Sequence, residues 1–476
     1  MSLTLRDFGF EADASVTGLT CDSRAVKPGF IFAALPGTIS DGRDYIEAAL
    51  KAGAAGILST EGLAIDAPYL GSPMPRLAYA QMAARLYPNQ PQTVAAVTGT
   101  NGKSSTVDFL RQIWAHAGLS AACFGTIGVH APSGFRPMTH TTPDAVALHQ
   151  TLHDLAGEGV THVAMEASSH GLDQYRLDGV RVKASGFTNL TQDHFDYHGD
   201  MENYFQAKAR LFAELTPEAA PVILNVDDEY GQELADLCGQ LGQKVTQVGL
   251  SGTDIQIVSL TPRTSSLLVE LAMGYDVLEV ELPLAGLFQA YNAVTALGLA
   301  LATGVERDVA LAALGQLKGV AGRMELAGTT AQGAPIFVDF AHSEGGLKTL
   351  LESVRPHTQG KIALVFGCGG DRDTDKRAKM GRVAAKLADE VIVTDDNPRS
   401  EKPELIRAAV MQGCSDAREQ GDRAKAIREG ISLLGENDCL VIAGKGHEQG
   451  QIIGKKTIPF SDVDEVKKAL KESVNV

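Results

Sequence analysis

The chain has 476 residues, a length that predicts two to four domains rather than one small module. Apolar residues make up 44% and charged residues 21%, which is typical of a globular protein and argues against intrinsic disorder. The formal net charge of −16 argues against a general nucleic-acid-binding protein, because binding phosphates requires surplus cations.

The six cysteines are scattered and include no C-x-x-C pair, so the usual signals of a zinc site or a thioredoxin-like centre are missing. Unpaired cysteines in a large chain suit a reducing compartment. The first residues include Arg6, Asp7, Glu11 and Asp13, which leave no apolar core for a signal peptide. The most apolar long stretch, residues 293–304, is shorter than the ~20 residues that span a bilayer. We therefore expect a cytoplasmic protein without a membrane-inserted segment.

In chain order, the first predicted elements belong to a smaller N-terminal α/β domain. Its strand-like segments lie at residues 30–35 and 56–59. The Pro-rich residues 87–91 follow them. Because proline removes a backbone donor and disfavours helix in the residue before it, this segment predicts a boundary. We place the first domain at residues 1–89.

The next region alternates between buried strands and helical patterns. Its strand runs lie at residues 93–98, 161–166, 184–190 and 221–226, and a helical stretch covers residues 103–117. This alternation predicts a mostly parallel sheet flanked by helices. We place the central domain at residues 90–328.

A second alternation begins after residues 322–325. Its strand runs lie at residues 336–340, 362–366, 390–394 and 438–443, with helical patterns between them. The same argument predicts a Rossmann-like α/β domain. We place this C-terminal domain at residues 329–476.

A glycine-rich loop, residues 97–105 with the sequence VTGTNGKSS, follows a predicted strand and opens a predicted helix. Glycines let backbone N–H groups approach a phosphate, and the helix N-terminus adds partial positive charge. In such a loop Lys103 contacts the β- and γ-phosphates and Ser104 holds Mg²⁺. The strict motif has glycine where this chain has Val97, and an ordinary turn is the alternative. Strand, loop and helix together predict ATP or GTP binding and a central domain like that of P-loop ATPases.

Two further polar residues are expected at the carboxyl ends of strands, where ligands bind in open α/β sheets. They are Glu166 and His194. A carboxylate and an imidazole placed there could hold a second Mg²⁺, although Mg²⁺ prefers oxygen ligands. Isolated structural residues are the alternative.

The tetrad at residues 396–399 (DNPR) follows the predicted strand that ends at Thr394. Arg399 offers a planar fork to a carboxylate, and Asp396 offers an acceptor to an ammonium group. An ordinary turn with a surface arginine is the alternative. The pattern favours a site for a zwitterionic amino acid.

Several short motifs resemble the signatures of the Mur ligases, which join amino acids to the growing peptidoglycan precursor. They lie at residues 22–24 (DSR), 97–105 (VTGTNGKSS), 165–172 (MEASSHGL), 188–190 (TNL), 193–199 (DHFDYHG), 337–342 (FVDFAH) and 444–448 (GKGHE). The resemblance covers essentially the whole chain. It is strongest for the members that add the third residue of the stem peptide.

The resemblance implies an ATP-dependent ligase. Its reaction would add meso-2,6-diaminopimelate to UDP-N-acetylmuramoyl-L-alanyl-D-glutamate through an acyl phosphate, and relatives that add lysine lack the arginine matching Arg399. Three alternatives remain open. They are the same reaction with L-lysine, a folylpolyglutamate-synthase-like ligase, and a regulatory or mechanical NTPase.

The resemblance also implies three sets of binding residues. The ATP contacts are Gly99, Thr100, Asn101, Gly102, Lys103, Ser104, Ser105, Asn292, Arg323, Asp339 and His342. The contacts to the nucleotide-sugar and its peptide are Cys21, Ser23, Thr38, Ile39, Ser40, Thr141, Thr142, Ser168, Gln174 and Arg176. The diaminopimelate contacts are Arg372, Asp396, Asn397, Pro398, Arg399, Gly444 and Glu448.

The implied catalytic residues are Lys103, Lys208, Glu166 and His194, and the implied Mg²⁺ ligands are Ser104, Glu166, His194 and Lys208. A lysine on a helix is ordinarily solvated, and its charge repels metal ions. In the family the lysine matching Lys208 carries a carbamate (N6-carboxylysine), which is an anionic oxygen ligand. Carbamylation requires the neutral amine, and nearby metal charge favours that form.

We expect a monomer without a nucleic-acid partner.

The chain departs from the family pattern near two of these sets. His140 stands where the family often has Asn before the pair Thr141 and Thr142. After Asp339 the family reads Tyr-Ala-His-Thr-Pro, whereas this chain has Phe340, Ser343 and Glu344 at the positions that differ.

Overall fold

The computed structural model describes residues 3–37, 40–138 and 140–474. The chain divides into two compact units, of which the first comprises residues 1–248 and 295–307 and the second residues 249–294 and 308–476. Strands and helices alternate in both units, so the predicted α/β class is confirmed.

A four-stranded parallel sheet lies near the start of the first unit. Its strands, adjacent in chain order, are β1 (Gly18–Thr20), β2 (Phe30–Ala33), β3 (Gly56–Ser59) and β4 (Tyr69–Gly71). The helices are α1 (Ile46–Lys51) and α2 (Pro75–Leu86). The core between α2 and the sheet includes Leu19, Ile31 and Tyr79.

A larger sheet occupies the rest of the first unit. Its strands are β5 (Thr93–Thr98), β6 (Ala121–Gly125), β7 (Gly128–Ala131), β8 (Gly134–Arg136), β9 (His162–Glu166), β10 (Val182–Phe187), β11 (Pro221–Asn225) and β12 (Lys244–Gly249). They lie in the order β12-β11-β10-β5-β9-β6-β7-β8, and the strands from β12 to β6 run parallel. Central β5 is almost entirely buried, as expected for a strand covered on both faces.

The helices of this region flank the large sheet. They are α3 (Lys103–His116), α4 (Ala145–Gly157), α5 (Ser169–Asp173), α6 (Phe195–His198), α7 (Met201–Arg210) and α8 (Glu229–Gln240). The next helix, α9 (Phe288–Ala302), contributes residues to both units. A π-helical turn at Leu211–Leu215 follows α7. Elsewhere in the chain, 3₁₀ turns lie at Leu5–Phe8, Ser23–Ala25, Gly42–Tyr45 and Arg355–His357. Among the helices of the described ranges, none is both long and apolar enough to cross a membrane.

The second unit contains an antiparallel meander and a mostly parallel sheet. The meander consists of β13 (Ile255–Pro262), β14 (Leu267–Met273) and β15 (Asp276–Leu282). The sheet consists of β16 (Glu325–Thr329), β17 (Pro335–Asp339), β18 (Ile362–Phe366), β19 (Glu390–Val393), β20 (Arg418–Glu419) and β21 (Cys439–Ala443). Its order is β16-β17-β21-β18-β19-β20, with only β16 antiparallel to its neighbour among these described strands.

A hairpin and six further helices complete the second unit. The hairpin strands are β22 (Gly450–Ile453) and β23 (Lys456–Pro459). The helices are α10 (Arg307–Leu314), α11 (Glu344–Val354), α12 (Lys376–Leu387), α13 (Pro403–Met411), α14 (Arg423–Ser432) and α15 (Asp462–Val474). Ser343 caps α11, since its hydroxyl accepts a hydrogen bond from the backbone N–H of Gly346. The departure from the family pattern at Ser343 therefore preserves a helix start.

A completely buried ion pair joins α14 to α15. The Nε and Nη2 atoms of Arg423 donate to the two carboxylate oxygens of Asp462 at 2.7 and 2.8 Å. Both side chains are 0% exposed. Arg423 Nη2 also donates to the backbone oxygen of Ala443 at 3.0 Å. These contacts satisfy hydrogen-bond donors of the Arg423 guanidinium, which lies beside the carboxyl end of β21.

We expect Asp462→Asn to destabilise the protein by about 3–5 kcal/mol, because it leaves the Arg423 charge buried without its counter-ion. Urea unfolding followed by circular dichroism measures the shift. The matched control is Glu352→Gln, which removes one partner of the exposed pair between Lys348 and Glu352. That change should cost less than about 1 kcal/mol. Equal shifts in the two variants would contradict the expectation.

Candidate active site

The glycine-rich loop lies between β5 and α3, as predicted. Gly99 has φ +146°, and a Cβ atom there would lie 1.9 Å from the hydroxyl of Thr188. The loop is braced by the segment after β10, because the Thr188 hydroxyl donates to the backbone oxygen of Asn101 at 2.6 Å. The backbone N–H of Asn101 donates to the side-chain oxygen of Asn189 at 3.0 Å. The first N–H groups of α3 have no partner within the helix, which makes this end a site for an anion.

Two lysine side chains meet at one backbone oxygen of this loop. Lys103 Nζ lies 2.9 Å and Lys208 Nζ 2.8 Å from the oxygen of Gly99. Lys208 is 1% exposed and its Nζ lies 4.4 Å from the ring centre of Tyr204. Burial and then the charge of Lys103 lower the pKa of Lys208 well below its ordinary value. Lys208 is therefore not an ordinary solvated lysine, and its environment favours the neutral amine.

Glu166 and Ser104 are brought into direct contact. Glu166 ends β9, is 1% exposed, and accepts a hydrogen bond from the Ser104 hydroxyl at 2.8 Å. The same carboxylate oxygen accepts the backbone N–H of Thr126 at 2.8 Å. Thr126 was not predicted as a site residue, although it follows the end of β6, where the strand-end rule could have found it. The carboxylate and hydroxyl of this pair are hard oxygen donors of the kind that Mg²⁺ prefers.

The prediction that His194 ends a strand is wrong. β10 ends at Phe187, and His194 lies in the following loop, directly before α6, with a left-handed φ of 54°. Within the described part of the chain, its ring contacts Asp193, His170 and Tyr204 rather than Glu166. Polar loop residues interrupt the apolar run there, so the strand stops early. Among the described residues, no three His, Cys, Asp or Glu side chains form a group able to hold a metal ion.

Five of the residues predicted to bind the nucleotide-sugar and its peptide form one hydrogen-bonded network beside Glu166. They are Thr141, Thr142, Ser168, Gln174 and Arg176. The Thr142 hydroxyl donates to the backbone oxygen of Glu166 at 3.0 Å and accepts the N–H of Ser168 at 3.0 Å. Arg176 donates to the backbone oxygen of Thr142 at 2.7 Å and to Gln174 Oε1 at 2.7 Å. Burial lowers the pKa of Arg176.

Three further residues of that set, Cys21, Ser23 and Ser40, lie near the four-stranded sheet. Cys21 is exposed just after β1, and Ser23 begins the following 3₁₀ turn. The Ser40 hydroxyl donates to the phenolic oxygen of Tyr45 at 3.1 Å. Thr38 and Ile39 lie outside the described residues.

The second unit brings together three of its four predicted ATP contacts. The backbone N–H of Met324, next to Arg323, donates to Asp339 Oδ2 at 2.7 Å. Burial raises the pKa of Asp339, and the charge of Arg323 opposes this. The guanidinium of Arg323 lies 5.1 Å from the ring centre of Phe340. The ring centres of Phe340 and His342 are 4.6 Å apart. Asn292 is buried on α9, where it donates to Gln289 Oε1 at 3.1 Å.

The predicted amino-acid site is assembled around residues 396–399, after the end of β19. Asp396 is 7% exposed, and burial raises its pKa. Gly444, at φ +115°, packs against this carboxylate, since a Cβ atom there would lie 2.6 Å from Asp396 Oδ2. Asn397 donates to Glu448 Oε2 at 2.8 Å. The acidic groups of the site are therefore held close to one another.

Arg399 lies at the other end of this turn, after Pro398, with a left-handed φ of 51°. Its Nη1 donates to the backbone oxygen of Gly370 at 2.8 Å, which leaves other N–H groups of the fork for a carboxylate. The exposed Arg372 lies on the same 369–372 loop.

A second arginine holds that loop in place and was not predicted. Buried Arg377 makes a two-point contact with Glu401 at 2.8 and 3.0 Å, and Glu401 accepts the backbone N–H of Asp371 at 2.6 Å. Buried Lys445 was also missed as a site residue. It lies within the quoted motif at 444–448, but nothing in the one-dimensional pattern distinguishes a buried lysine from an exposed one.

Three family models match the chain in succession. They are "Mur ligase family, catalytic domain" over residues 15–96, "Mur ligase middle domain" over residues 97–300 and "Mur ligase, glutamate ligase domain" over residues 322–446. Together they span most of the sequence.

Similar proteins extend over nearly the full length. The UDP-N-acetylmuramoyl-L-alanyl-D-glutamate–2,6-diaminopimelate ligase of Rhizobium meliloti (strain 1021) is 49% identical over 97% of this chain and 96% of its own. The protein of the same name from Brucella melitensis biotype 1 is 50% identical over 97% and 95%. A solved structure with that name has a TM-score of 0.76 at 33% identity and covers 100% of both chains.

Proposed function

This chain belongs to the Mur ligase family, and we propose that it uses ATP to join meso-2,6-diaminopimelate to UDP-N-acetylmuramoyl-L-alanyl-D-glutamate. The observation that carries the substrate assignment is the charged turn at residues 396–399 beside Glu448. It presents a guanidinium fork, the buried carboxylate of Asp396 and the half-buried carboxylate of Glu448 together. Unlike lysine, diaminopimelate carries a distal carboxylate in addition to its ammonium groups, and it therefore needs a guanidinium as well as carboxylate partners. The names and lengths of the similar proteins support the same reaction.

The reaction proceeds in two steps. In the first, the terminal D-glutamyl carboxylate attacks the γ-phosphate of ATP and releases ADP, because a carboxylate oxygen is otherwise a poor leaving group. In the second, the amine of diaminopimelate attacks the acyl phosphate, loses a proton, and expels phosphate as the amide forms. Lys103 and the N–H groups of the loop stabilise charge on the transferring phosphoryl group.

The oxygen donors at Ser104 and Glu166 fit Mg²⁺, which commonly takes only one or two protein carboxylates together with substrate phosphates. When bound, Mg²⁺ neutralises phosphate charge during transfer. We assign Lys208, as its carbamate, and His194 to the same metal centre. The support for a carbamate is the buried, depressed-pKa amine of Lys208, which is the form that reacts with CO₂.

We propose three functional regions with the limits predicted from the sequence. We assign residues 1–89 to the nucleotide-sugar, 90–328 to ATP and 329–476 to the incoming amino acid. The family models, whose limits fall near these boundaries, support the assignment.

A phosphate-release assay with ATP, the muramoyl dipeptide and diaminopimelate tests the function. We expect release to require all three compounds and to be lost in Lys103→Ala. Release without either acceptor would instead indicate a regulatory or mechanical NTPase, and activity with a folate and glutamate a folylpolyglutamate-synthase-like enzyme. Better use of L-lysine than of diaminopimelate would overturn the substrate assignment.

We expect Lys208→Ala to lose at least about a hundredfold in kcat, since it removes a metal ligand rather than a supporting contact. Added acetate should restore part of the activity by placing a carboxylate oxygen in the vacated space. Steady-state rates with and without acetate measure the effect. The control is Lys183→Ala, an exposed lysine on β10, which should behave as wild type. A fully active Lys208→Ala protein would disprove the carbamate proposal.

We expect Arg399→Lys to impair use of diaminopimelate far more than binding of ATP or the nucleotide-sugar. A guanidinium pairs with the distal carboxylate through two parallel bonds, whereas an ammonium acts as a point charge. The loss should be roughly 2–5 kcal/mol, about thirtyfold to several-thousandfold in kcat/KM.

Kinetics with each substrate varied in turn measure this loss. Arg382→Lys, an exposed change on α12, serves as the control and should leave every constant unchanged. If kcat/KM for diaminopimelate in Arg399→Lys stays within about threefold of wild type, a difference below ~1 kcal/mol, then Arg399 is an ordinary turn residue.

A further inference from the structure

Lys445 follows β21 and is completely buried, at 0% exposure, beside the proposed amino-acid site. Its Nζ donates to three oxygens, namely Asn397 Oδ1 at 3.1 Å, Glu448 Oε2 at 2.8 Å and Gly450 O at 2.6 Å. An ammonium group has three N–H donors, so all of them are used within the protein. Lys445 therefore has no donor left for a substrate.

The contacts of Lys445 determine how Asn397 is oriented. Asn397 Oδ1 accepts from Lys445 and also from the backbone N–H of Ile452, at 2.9 Å. Two donors at this atom identify it as the oxygen, so the amide nitrogen must point to Glu448 Oε2, at 2.8 Å. Asn397 cannot rotate without breaking contacts with Lys445, Glu448 and the hairpin.

The same lysine holds only one oxygen of Glu448. Oε2 accepts from both Lys445 and Asn397, whereas the Glu448 side chain as a whole remains 34% exposed. Glu448 is thus a carboxylate fixed at one oxygen and accessible elsewhere. Such a group is suited to accept a hydrogen bond from a substrate ammonium.

The hairpin completes this arrangement by bonding directly to the 396–399 turn. The backbone N–H of Arg399 donates to Ile452 O at 3.0 Å, and Gln451 Nε2 donates to Asp396 O at 2.7 Å. Lys445, through Gly450 O, lies at the base of the same hairpin.

We propose that Lys445 is a positioning residue that orients Glu448, directly and through Asn397, toward an ammonium group of the incoming diamino acid without touching that group. This rests on the proposed function of the site.

The charges around Glu448 predict how loss of Lys445 changes the pH dependence. The titratable and charged groups that face Glu448 are Lys445, His447, Asp396 and Arg423. Burial by itself raises the pKa of Glu448, but hydrogen bonds and charge from Lys445, with the amide of Asn397, hold it below the ordinary value. Without Lys445 the pKa of Glu448 must rise. The acid limb of kcat/KM for diaminopimelate then moves to higher pH, because the ionised carboxylate is the form that binds an ammonium.

The test is a double-mutant cycle between Lys445→Met and Glu448→Gln in the full-length enzyme. We expect Lys445→Met to raise KM for diaminopimelate by about ten- to a hundredfold while KM for ATP and for the nucleotide-sugar stay within about twofold. In the Glu448→Gln background the same change should have less than about a threefold effect, since its target is already gone. The acid limb should shift upward in Lys445→Met alone.

Equal losses in both backgrounds, or parallel rises in KM for ATP and diaminopimelate, would mean that Lys445 is merely structural and would overturn the proposal. If Lys445→Met does not fold, Lys445→Arg keeps the charge but cannot reach all three acceptors. It should raise KM for diaminopimelate without moving the acid limb, and an unchanged KM would overturn the proposal. The wild-type rate with diaminopimelate in the same assay tests the proposed function separately.

Discussion

The close approach of the glycine-rich loop to the residues that follow β10 is the constraint on which the first unit depends. A side chain at position 99 would clash with Thr188, so glycine is needed there. Its absence of a side chain lets the loop and the 188–191 segment form one hydrogen-bonded body. That body places the Gly99 oxygen where the side-chain nitrogens of Lys103 and Lys208 converge on it. The parallel strands β5 and β9 end side by side, so Glu166 meets Ser104 at the start of α3. The tight backbone contact thus positions the two lysines, and the adjacent strand ends place Glu166 beside them.

In the second unit, the constraint is that two carboxylates of like charge are held close together. Asp396 and Glu448 lie near each other with little solvent around Asp396, and such an arrangement persists only if cations and N–H groups compensate it. Lys445 lies on one side, and Arg423, neutralised in turn by Asp462, lies behind. Arg377 and Glu401 brace the adjacent loop in the same way. Buried ion pairs and hydrogen bonds therefore support the turn.

Local patterns in the sequence were sufficient to predict much of this. The run of apolar residues at 93–98 is β5 and that at 362–366 is β18, because buried parallel strands are continuous in sequence. The glycine-rich loop and the strand end at Glu166 are equally local. His194 was misplaced because the strand before it ends where polar side chains find partners in the neighbouring loop. The pair Arg423–Asp462 and the role of Lys445 depend on which residues the fold brings together, and no periodicity records that.

The distribution of the cysteines leaves one position accessible to chemical modification. Among the described residues, Cys21 is the only exposed cysteine, and the others are buried in the cores. A thiol reagent applied to the native protein at alkaline pH, since burial of the sulfur raises the pKa of Cys21, should therefore modify a single position, which is one of the residues assigned to the nucleotide-sugar. Because a label on this residue would compete with the nucleotide-sugar, protection of the Cys21 thiol by the ligand would measure binding independently of turnover and without any engineered cysteine.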